Sequence, residues 1–232
     1  MPKHRKTVTG NIYDHPAYYD IIFGAEWAKE RNFLVAACDT YAHCKVRRLF
    51  EPACGTGRLL FRLAKLGYGV TGLDLNPHAV AYCNARMERH ALDGRAVVGD
   101  MSDFHLRQKA DAAFNLINSF RHLPDEKSAA AHLRCIRDAL TPGGIYLLGL
   151  HLTPKGESDC EAESWQAKRG PVTVRSHLWT KRLDRRKREE TVGIEFDVTS
   201  PRQALTLVDE FVFRTYSAKQ MANLIHKVEG LE

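Results

Sequence analysis

Four short segments of this chain end in residues suited to holding a polar ligand, and they recur at strand-like intervals. Glu51-Pro-Ala-Cys-Gly-Thr-Gly57 combines a carboxylate with two glycines, Asp74 closes the run 69–73, Gly99-Asp100 follows 95–98, and Asn118 follows 112–117. Gly55 and Gly57 give the backbone access to positive φ and let a ligand approach it closely. A helix opening near Arg58 aims its first, unpaired amides at the same place. An acid at the tip of a second strand is placed to accept two hydrogen bonds from the vicinal hydroxyls of a ribose. A carboxylate one strand further on, Asp100, can accept from an exocyclic amine such as that of adenine. Each residue alone is an ordinary polar turn residue, whereas three acids and an amide at successive strand ends form a set.

The elements that position this set follow from hydropathy. The runs 46–50, 69–73, 95–98, 112–117 and 145–152 read as strands. The helices between them carry Leu59, Leu63 and Leu66, then Val80, Cys83 and Met87, then Ala129, Leu133, Ile136 and Leu140 on one side. Asn76-Pro77 supplies an N-cap with proline at the first helical position. The alternation predicts an α/β fold with a doubly wound, mostly parallel sheet, whose ligand lies beyond the carboxyl ends of the strands. From about 153 onward the runs 173–183, 191–198 and 204–216 alternate without helices and read as an antiparallel insert of two or three strands. Ser217-x-x-Gln220 is a capping box that opens a last helix. Phe23, Trp27, Leu34 and Cys38 mark one helical face ahead of the core. The expected organisation is therefore an N-terminal helical lid over 1–45, a ligand-binding core over 46–152, an antiparallel insert over 153–216 and a C-terminal helix over 217–232.

Composition narrows the class. The 232 residues are 44% hydrophobic and 27% charged, as in a folded globular chain. The longest apolar runs fall far short of the roughly 18–20 residues that span a bilayer, and the basic N-terminus lacks the apolar core of a secretory signal. No membrane association and a cytoplasmic location are expected. Cys38, Cys44, Cys54, Cys83, Cys135 and Cys160 form no C-x-x-C pair and no metal-ligand spacing with the histidines, so they read as reduced structural thiols with no metal site. The net charge of +6 is local: residues 168–190 hold nine Lys or Arg against three acids, and the rest of the chain balances. General coating of nucleic acid is not expected from such a distribution.

Absent motifs identify the ligand further. The phosphate-binding GxxxxGK[ST] loop is missing, and Leu60 stands where a dinucleotide fingerprint needs its third small residue. An adenosine ligand without pyrophosphate, with a cationic end able to use Glu51, fits better, and S-adenosylmethionine matches that description.

Glu51-Pro-Ala-Cys-Gly-Thr-Gly57, Gly72-Leu-Asp74-Leu, Gly99-Asp100-Met101 and Leu140-Thr-Pro-Gly-Gly144 resemble, in order and spacing, the successive motifs of class I S-adenosylmethionine-dependent methyltransferases over residues 45–152. Ala53 replaces the first glycine of the family's turn, a small-for-small change expected to be harmless. The resemblance implies a Rossmann-like sheet in the order 3-2-1-4-5, with Ala53, Gly55 and the backbone around Glu51 lining the methionine part of the cofactor and Gly57 among the residues that bind it. It places Asp74 on the ribose, Leu75 on the adenine ring, Asp100 on the adenine amine with Met101 beside it, and Asn118 near the methionine amine. The segment 13–20 resembles the lid of the family's small-molecule enzymes, with Tyr19 the tyrosine favoured to reach the cofactor; a core tyrosine is the competing reading.

The acceptor is narrowed the same way. No Asp/Asn-Pro-Pro-Tyr follows the fourth strand and no Pro-Cys pair occurs, unlike enzymes that methylate DNA bases. Ile117-Asn-Ser-Phe-Arg-His122 is similar to the matching stretch of small-molecule, amino-sugar-type N-methyltransferases, and Phe211-Val-Phe-Arg-Thr-Tyr216 to a strand of their insert. His122 would then face an amine or hydroxyl acceptor, either orienting it or taking up its proton; a surface histidine opening a helix is the alternative. The basic stretch 181–188 is either a solvated hairpin turn or a steering patch for an anionic small-molecule acceptor such as a nucleotide-linked sugar. After the last helix, no sequence is left for the sixth and seventh strands of the family sheet. The open edge of the fifth strand would be covered by the insert, by a partner chain as in a homodimer, or by nothing. A non-catalytic S-adenosylmethionine-binding protein or subunit of the same fold is the second functional reading.

Overall fold

The computed structural model describes residues 6–153 and 162–231. The chain opens with β1 (Lys6–Thr9), α1 (Pro16–Ile22) and α2 (Trp27–Tyr41). The core follows as β2 (Arg48–Pro52), α3 (Arg58–Ala64), β3 (Gly69–Asp74), α4 (Pro77–Arg89), β4 (Gly94–Val98), β5 (Ala110–Asn115), α5 (Glu126–Ala139) and β6 (Leu140–Leu148). Then come β7 (Ala162–Arg169), β8 (Val172–Asp184), β9 (Glu189–Thr199), β10 (Ala204–Arg214) and α6 (Ala218–His226).

The core strands form one parallel sheet in the order β4-β3-β2-β5-β6. This is the order 3-2-1-4-5 that the family resemblance implies. Its interior strand β5 is buried at every position, as a sheet covered on both faces requires. On one face α2, α3 and α4 pack through Leu34, Cys38, Leu59, Leu63, Cys83 and Met87. On the other, α5 and α6 pack through Ala129, Leu133, Ile136, Met221 and Leu224. The caps are those the sequence predicts. Asn76 Oδ1 accepts from the amides of His78 (2.8 Å) and Ala79 (3.1 Å), and the Ser217–Gln220 capping box is complete.

Several expectations are corrected. The N-terminal segment is not purely helical: β1 pairs in parallel with β10 and becomes the edge of a second sheet, β1-β10-β9-β8-β7. The expected helical face through Phe23, Trp27, Leu34 and Cys38 is split. α1 ends at Ile22, and Phe23 packs with the second sheet, while Trp27, Leu34 and Cys38 pack with the core. The insert has four antiparallel strands, not two or three; β7 escaped notice because its alternation is mostly polar. The fifth core strand starts earlier than expected, at Leu140, because the Thr141-Pro-Gly-Gly144 turn is itself part of the strand. Among the described residues, nothing pairs with its outer edge. The five described cysteines are unbridged, and Cys160 lies outside the described residues.

One buried carboxylate joins the lid, the core and the second sheet. Asp20 on α1 accepts from Thr56 Oγ1 in the glycine turn (2.8 Å), from Arg86 Nη1 on α4 (2.9 Å) and from Arg169 Nη1 at the end of β7 (2.8 Å). Burial alone would push its carboxyl up, but Arg86, Arg169 and Thr56 together hold it below the usual carboxylate range. Replacing Asp20 with Asn would leave the largely buried Arg86 guanidinium without its counter-charge. Asp20→Asn should therefore lower unfolding stability by about 3–5 kcal/mol, read as a shifted urea midpoint.

Candidate functional site

A cavity of about 900 Å³ lies between the carboxyl ends of the core strands and one face of the second sheet. On the core side it is built by the strand ends. Asp74 is fixed at both oxygens: Gly55 N–H donates to Oδ2 (2.6 Å) and Asn76 N–H to Oδ1 (2.8 Å). Each oxygen keeps a further lone pair. Burial pushes the Asp74 carboxyl up, and the two amides pull it only partly back. Gly55 is left-handed (φ 52°), and a Cβ placed there would meet only the Tyr19 ring, at 4.0 Å, so the space above it is open. Leu75, next to Asp74, leaves 67% of its surface uncovered while lining the cavity, a large apolar exposure at a ligand-sized opening. These features fit an adenosine ligand: carboxylate lone pairs for hydroxyls, a bare backbone for close approach, and an apolar flank for a ring.

Of the residues singled out by sequence, Tyr19, Ala53, Gly55, Asp74, Leu75, Met101, Asn118 and His122 line this one cavity. Three do not. Glu51 is buried beneath the glycine turn, where one of its carboxyl oxygens, Oε2, has no partner among the described residues; burial drives its pKa up. Gly57 is the left-handed N-cap of α3, and a Cβ there would run into Cys83 Sγ, so its requirement is helix packing. Asp100 is exposed and turned to its own loop, accepting from Ser102 N–H (2.7 Å) and Oγ (2.8 Å). Its neighbours Gly99 and Met101 line the cavity instead.

The backbone is strained where it touches the cavity. Ala53 is left-handed (φ 53°), so its replacement of glycine carries a cost on the order of 1 kcal/mol rather than none. Ile117 (φ 56°) and Asn118 (φ 63°) are left-handed in succession, and for a β-branched residue this is a genuine outlier. The kink is held by Asn118, whose Oδ1 accepts from His151 N–H (2.6 Å) and whose N–H donates to Gly149 O (3.3 Å).

At the other end, Tyr13 OH and His122 Nε2 are 3.1 Å apart, with Phe211 and Phe213 packed on the imidazole. Although His122 is exposed to the cavity, the surrounding protein and nearby Arg121 lower its pKa to about 4. Burial also raises the Tyr13 phenol well above its usual range, and that of Tyr19 to about 12. The pair is thus neutral near pH 7. Arg121, also in the lining, is used internally: its guanidinium is bonded to Glu190 and to Arg214 O (3.1 Å) and stacks on Phe213.

Tyr13, Trp165, Phe211 and Phe213 are site residues to which the sequence reading gave no role, although 13–20 and 211–216 had been marked as segments. The available signal was the large apolar side chains on one face of the insert strands. His132 was missed altogether. It is fully buried in α5, bridging Met101 O and Tyr146 OH (both 2.8 Å), and so fixes the Met101 loop to the sheet.

Residues 50–144 match the family model described as "Methyltransferase domain". That segment is a methyltransferase domain. A protein of Geobacillus sp. (strain WCH70) carrying a provisional methyltransferase name is 27% identical over 145 residues, 62% of this chain and 59% of its own. The chain spans only 39–59% of the curated relatives it matches. In fold, the methyltransferase domain and its insert together match DesVI of Streptomyces venezuelae at TM-score 0.81, with 20% identity over 92% of this chain and 89% of that one. They match CalS10 of Micromonospora echinaspora, described as an amino pentose methyltransferase bound to S-adenosylmethionine, at TM-score 0.75, with 20% identity over 97% and 91% of the two chains. At these identities the likeness establishes the fold, in which the core of the methyltransferase domain and the covering sheet keep the same arrangement. No helix among the described residues is long and apolar enough to cross a membrane.

With its pKa near 4, the imidazole of His122 should stay neutral through the physiological range. In nitrogen-15 NMR spectra its ring resonances should not titrate between pH 8 and about 5.5, whereas an exposed histidine titrates near 6.5; a His122 midpoint near 6.5 contradicts the geometry.

Proposed function

We propose that this chain binds S-adenosylmethionine across the carboxyl ends of its core sheet and methylates a small-molecule amine in the cavity beneath the insert. The observation that carries the reading is the single cavity of about 900 Å³ that joins the Asp74–Gly55–Leu75 cradle to the Tyr13–His122 pair. A binding protein that had lost catalysis would have no need of this acceptor volume. The amine is preferred to a hydroxyl because CalS10, of like fold, is described as an amino pentose methyltransferase.

In this reading Asp74 holds the ribose hydroxyls, Leu75 and Met101 flank the adenine, and the bare backbone at Ala53 and Gly55 takes the methionine end, with Tyr19 as its cover. Glu51, below the turn, supports that end without touching the cavity. Asp100 can join only by turning away from Ser102. The bound cofactor supplies a methyl group on a sulfonium, an electrophile that needs no metal or acid. The acceptor nitrogen attacks in line, a C–N bond forms as the C–S bond breaks, and the electron pair stays on sulfur. The nitrogen's proton leaves to solvent afterwards, because a histidine with a pKa near 4 is a poor base. His122 and Tyr13 therefore position the acceptor: Tyr13 O–H donates to His122 Nε2, and the phenol oxygen's lone pairs receive the acceptor N–H. Holding nucleophile and methyl about 3–3.5 Å apart supplies much of the rate.

Calorimetry should show S-adenosylmethionine and S-adenosylhomocysteine binding and no heat with NADH. Asp74→Ala should weaken both by at least about 100-fold, the equivalent of two charge-assisted hydrogen bonds. Binding unaffected by Asp74→Ala would refute the assignment. His122→Ala should leave cofactor affinity unchanged and lower kcat about tenfold, the signature of lost positioning.

A further inference from the structure

Strand alternation decides what the second sheet shows the cavity. One cross-strand row runs Glu163, Leu178, Ile194 over β7, β8 and β9, and the next runs Thr180, Val192, Phe211 over β8, β9 and β10. All six line the cavity, so its wall is an apolar sheet face with a carboxylate at the β7 edge. Among the described residues, no hydrogen bond or ion pair engages the Glu163 carboxylate.

The charges around the cavity are one-sided. Asp14, Asp74, Glu163 and Glu190 line it, and among the described residues the only Lys or Arg that does so is Arg121. That guanidinium is already taken by Glu190 and Arg214 O. The basic stretch 181–188 contributes nothing to the lining. Lys181 points to the opposite face, where it meets Glu210; Arg182 pairs with Asp184, and Arg188 with Glu126 on α5. Among the described residues, a phosphate in this cavity would meet carboxylates and no available Lys or Arg, and a desolvated anion without a counter-charge is costly. A cationic group would meet a carboxylate and aromatic faces, both favourable.

We infer that the acceptor carries a cationic group on an apolar, phosphate-free body, and that Glu163 recognises that group. The inference rests on the functional reading above and names the substrate class for the same site. The charge recognised is remote from the atom methylated. Glu163 is on β7, while His122 packs on Phe211 and Phe213 of β10, three strand spacings or about 14 Å across the sheet. The methylated nitrogen can therefore be neutral, as nucleophilic attack requires, while a second group keeps its charge.

The test is calorimetry on the full chain saturated with S-adenosylhomocysteine, using tyramine, O-phosphotyramine and thymidine diphosphate as probes. Tyramine should bind, its phosphate ester at least about tenfold more weakly, and thymidine diphosphate should give no heat. Glu163→Gln, which keeps the shape and removes the charge, should weaken tyramine about five- to tenfold and shrink the gap between tyramine and its ester. Phosphotyramine or thymidine diphosphate binding as tightly as tyramine would overturn the inference. So would the absence of tyramine binding, or an unchanged tyramine affinity in Glu163→Gln. Each of these leaves S-adenosylhomocysteine binding intact, whereas loss of that binding refutes the functional reading and this inference together.

Discussion

The geometry of the cavity depends on the buried carboxylate of Asp20. Its partners come from three separate places: the glycine turn through Thr56, α4 through Arg86, and the last residue of β7 through Arg169. Arg169 also donates to the Asp20 backbone carbonyl (2.9 Å), and Arg86 to the Thr56 carbonyl, so backbone and side chains are tied together. A buried ion cluster of this kind contributes little net stability over an apolar packing, because desolvation offsets most of the attraction. What it contributes is registry, since a misplaced partner leaves a charge buried and unpaired. The bidentate Arg58–Glu30 pair between α3 and α2 adds a second fastening beside the first.

Across the cavity the joints are different but obey the same rule. Arg121 links the turn after β5 to Glu190 of β9 and to the Arg214 carbonyl, and Arg188 links the β8–β9 hairpin to Glu126 at the start of α5. The two sheets are thus held apart at fixed points, with an apolar face on one side and polar strand ends on the other. Such a space suits a ligand that is part polar and part apolar, and it leaves open volume beside the pair Tyr13–His122. This also explains the basic stretch: several of its cations are structural fasteners or lie on the outer face, rather than a collar around the cavity.

Strain is stored where the core meets the cavity. Ala53, Ile117 and Asn118 adopt left-handed backbone just past the ends of β2 and β5, and Asn118 is held there by hydrogen bonds with His151 and Gly149. At Ile117 the consequence is plain: a β-branched side chain that would ordinarily continue a strand is turned into the cavity lining. Strained positions of this kind cluster where a fold presents groups to a ligand.

The amino-acid sequence by itself determined the core. Its five strands and the residues at their tips follow from local pattern, because strand periodicity, an Asn-Pro cap and glycine at a left-handed turn each act over a few residues; the order of the strands is what the family resemblance implies. Asp74 and Gly55 could be named for that reason, and Leu75 through the resemblance. The tertiary structure alone decided which of the strand-end residues face the cavity. Glu51 and Asp100 have the right chemistry at the right position, yet one sits under the turn and the other turns to Ser102, and rotamer choice of that kind depends on packing from distant elements. Tertiary packing also decided the far wall. Glu163, Trp165 and Phe211 share a cavity with Tyr13 only because β1 joins β10 and Asp20 clamps the end of β7, contacts between residues up to about two hundred positions apart that no local period encodes.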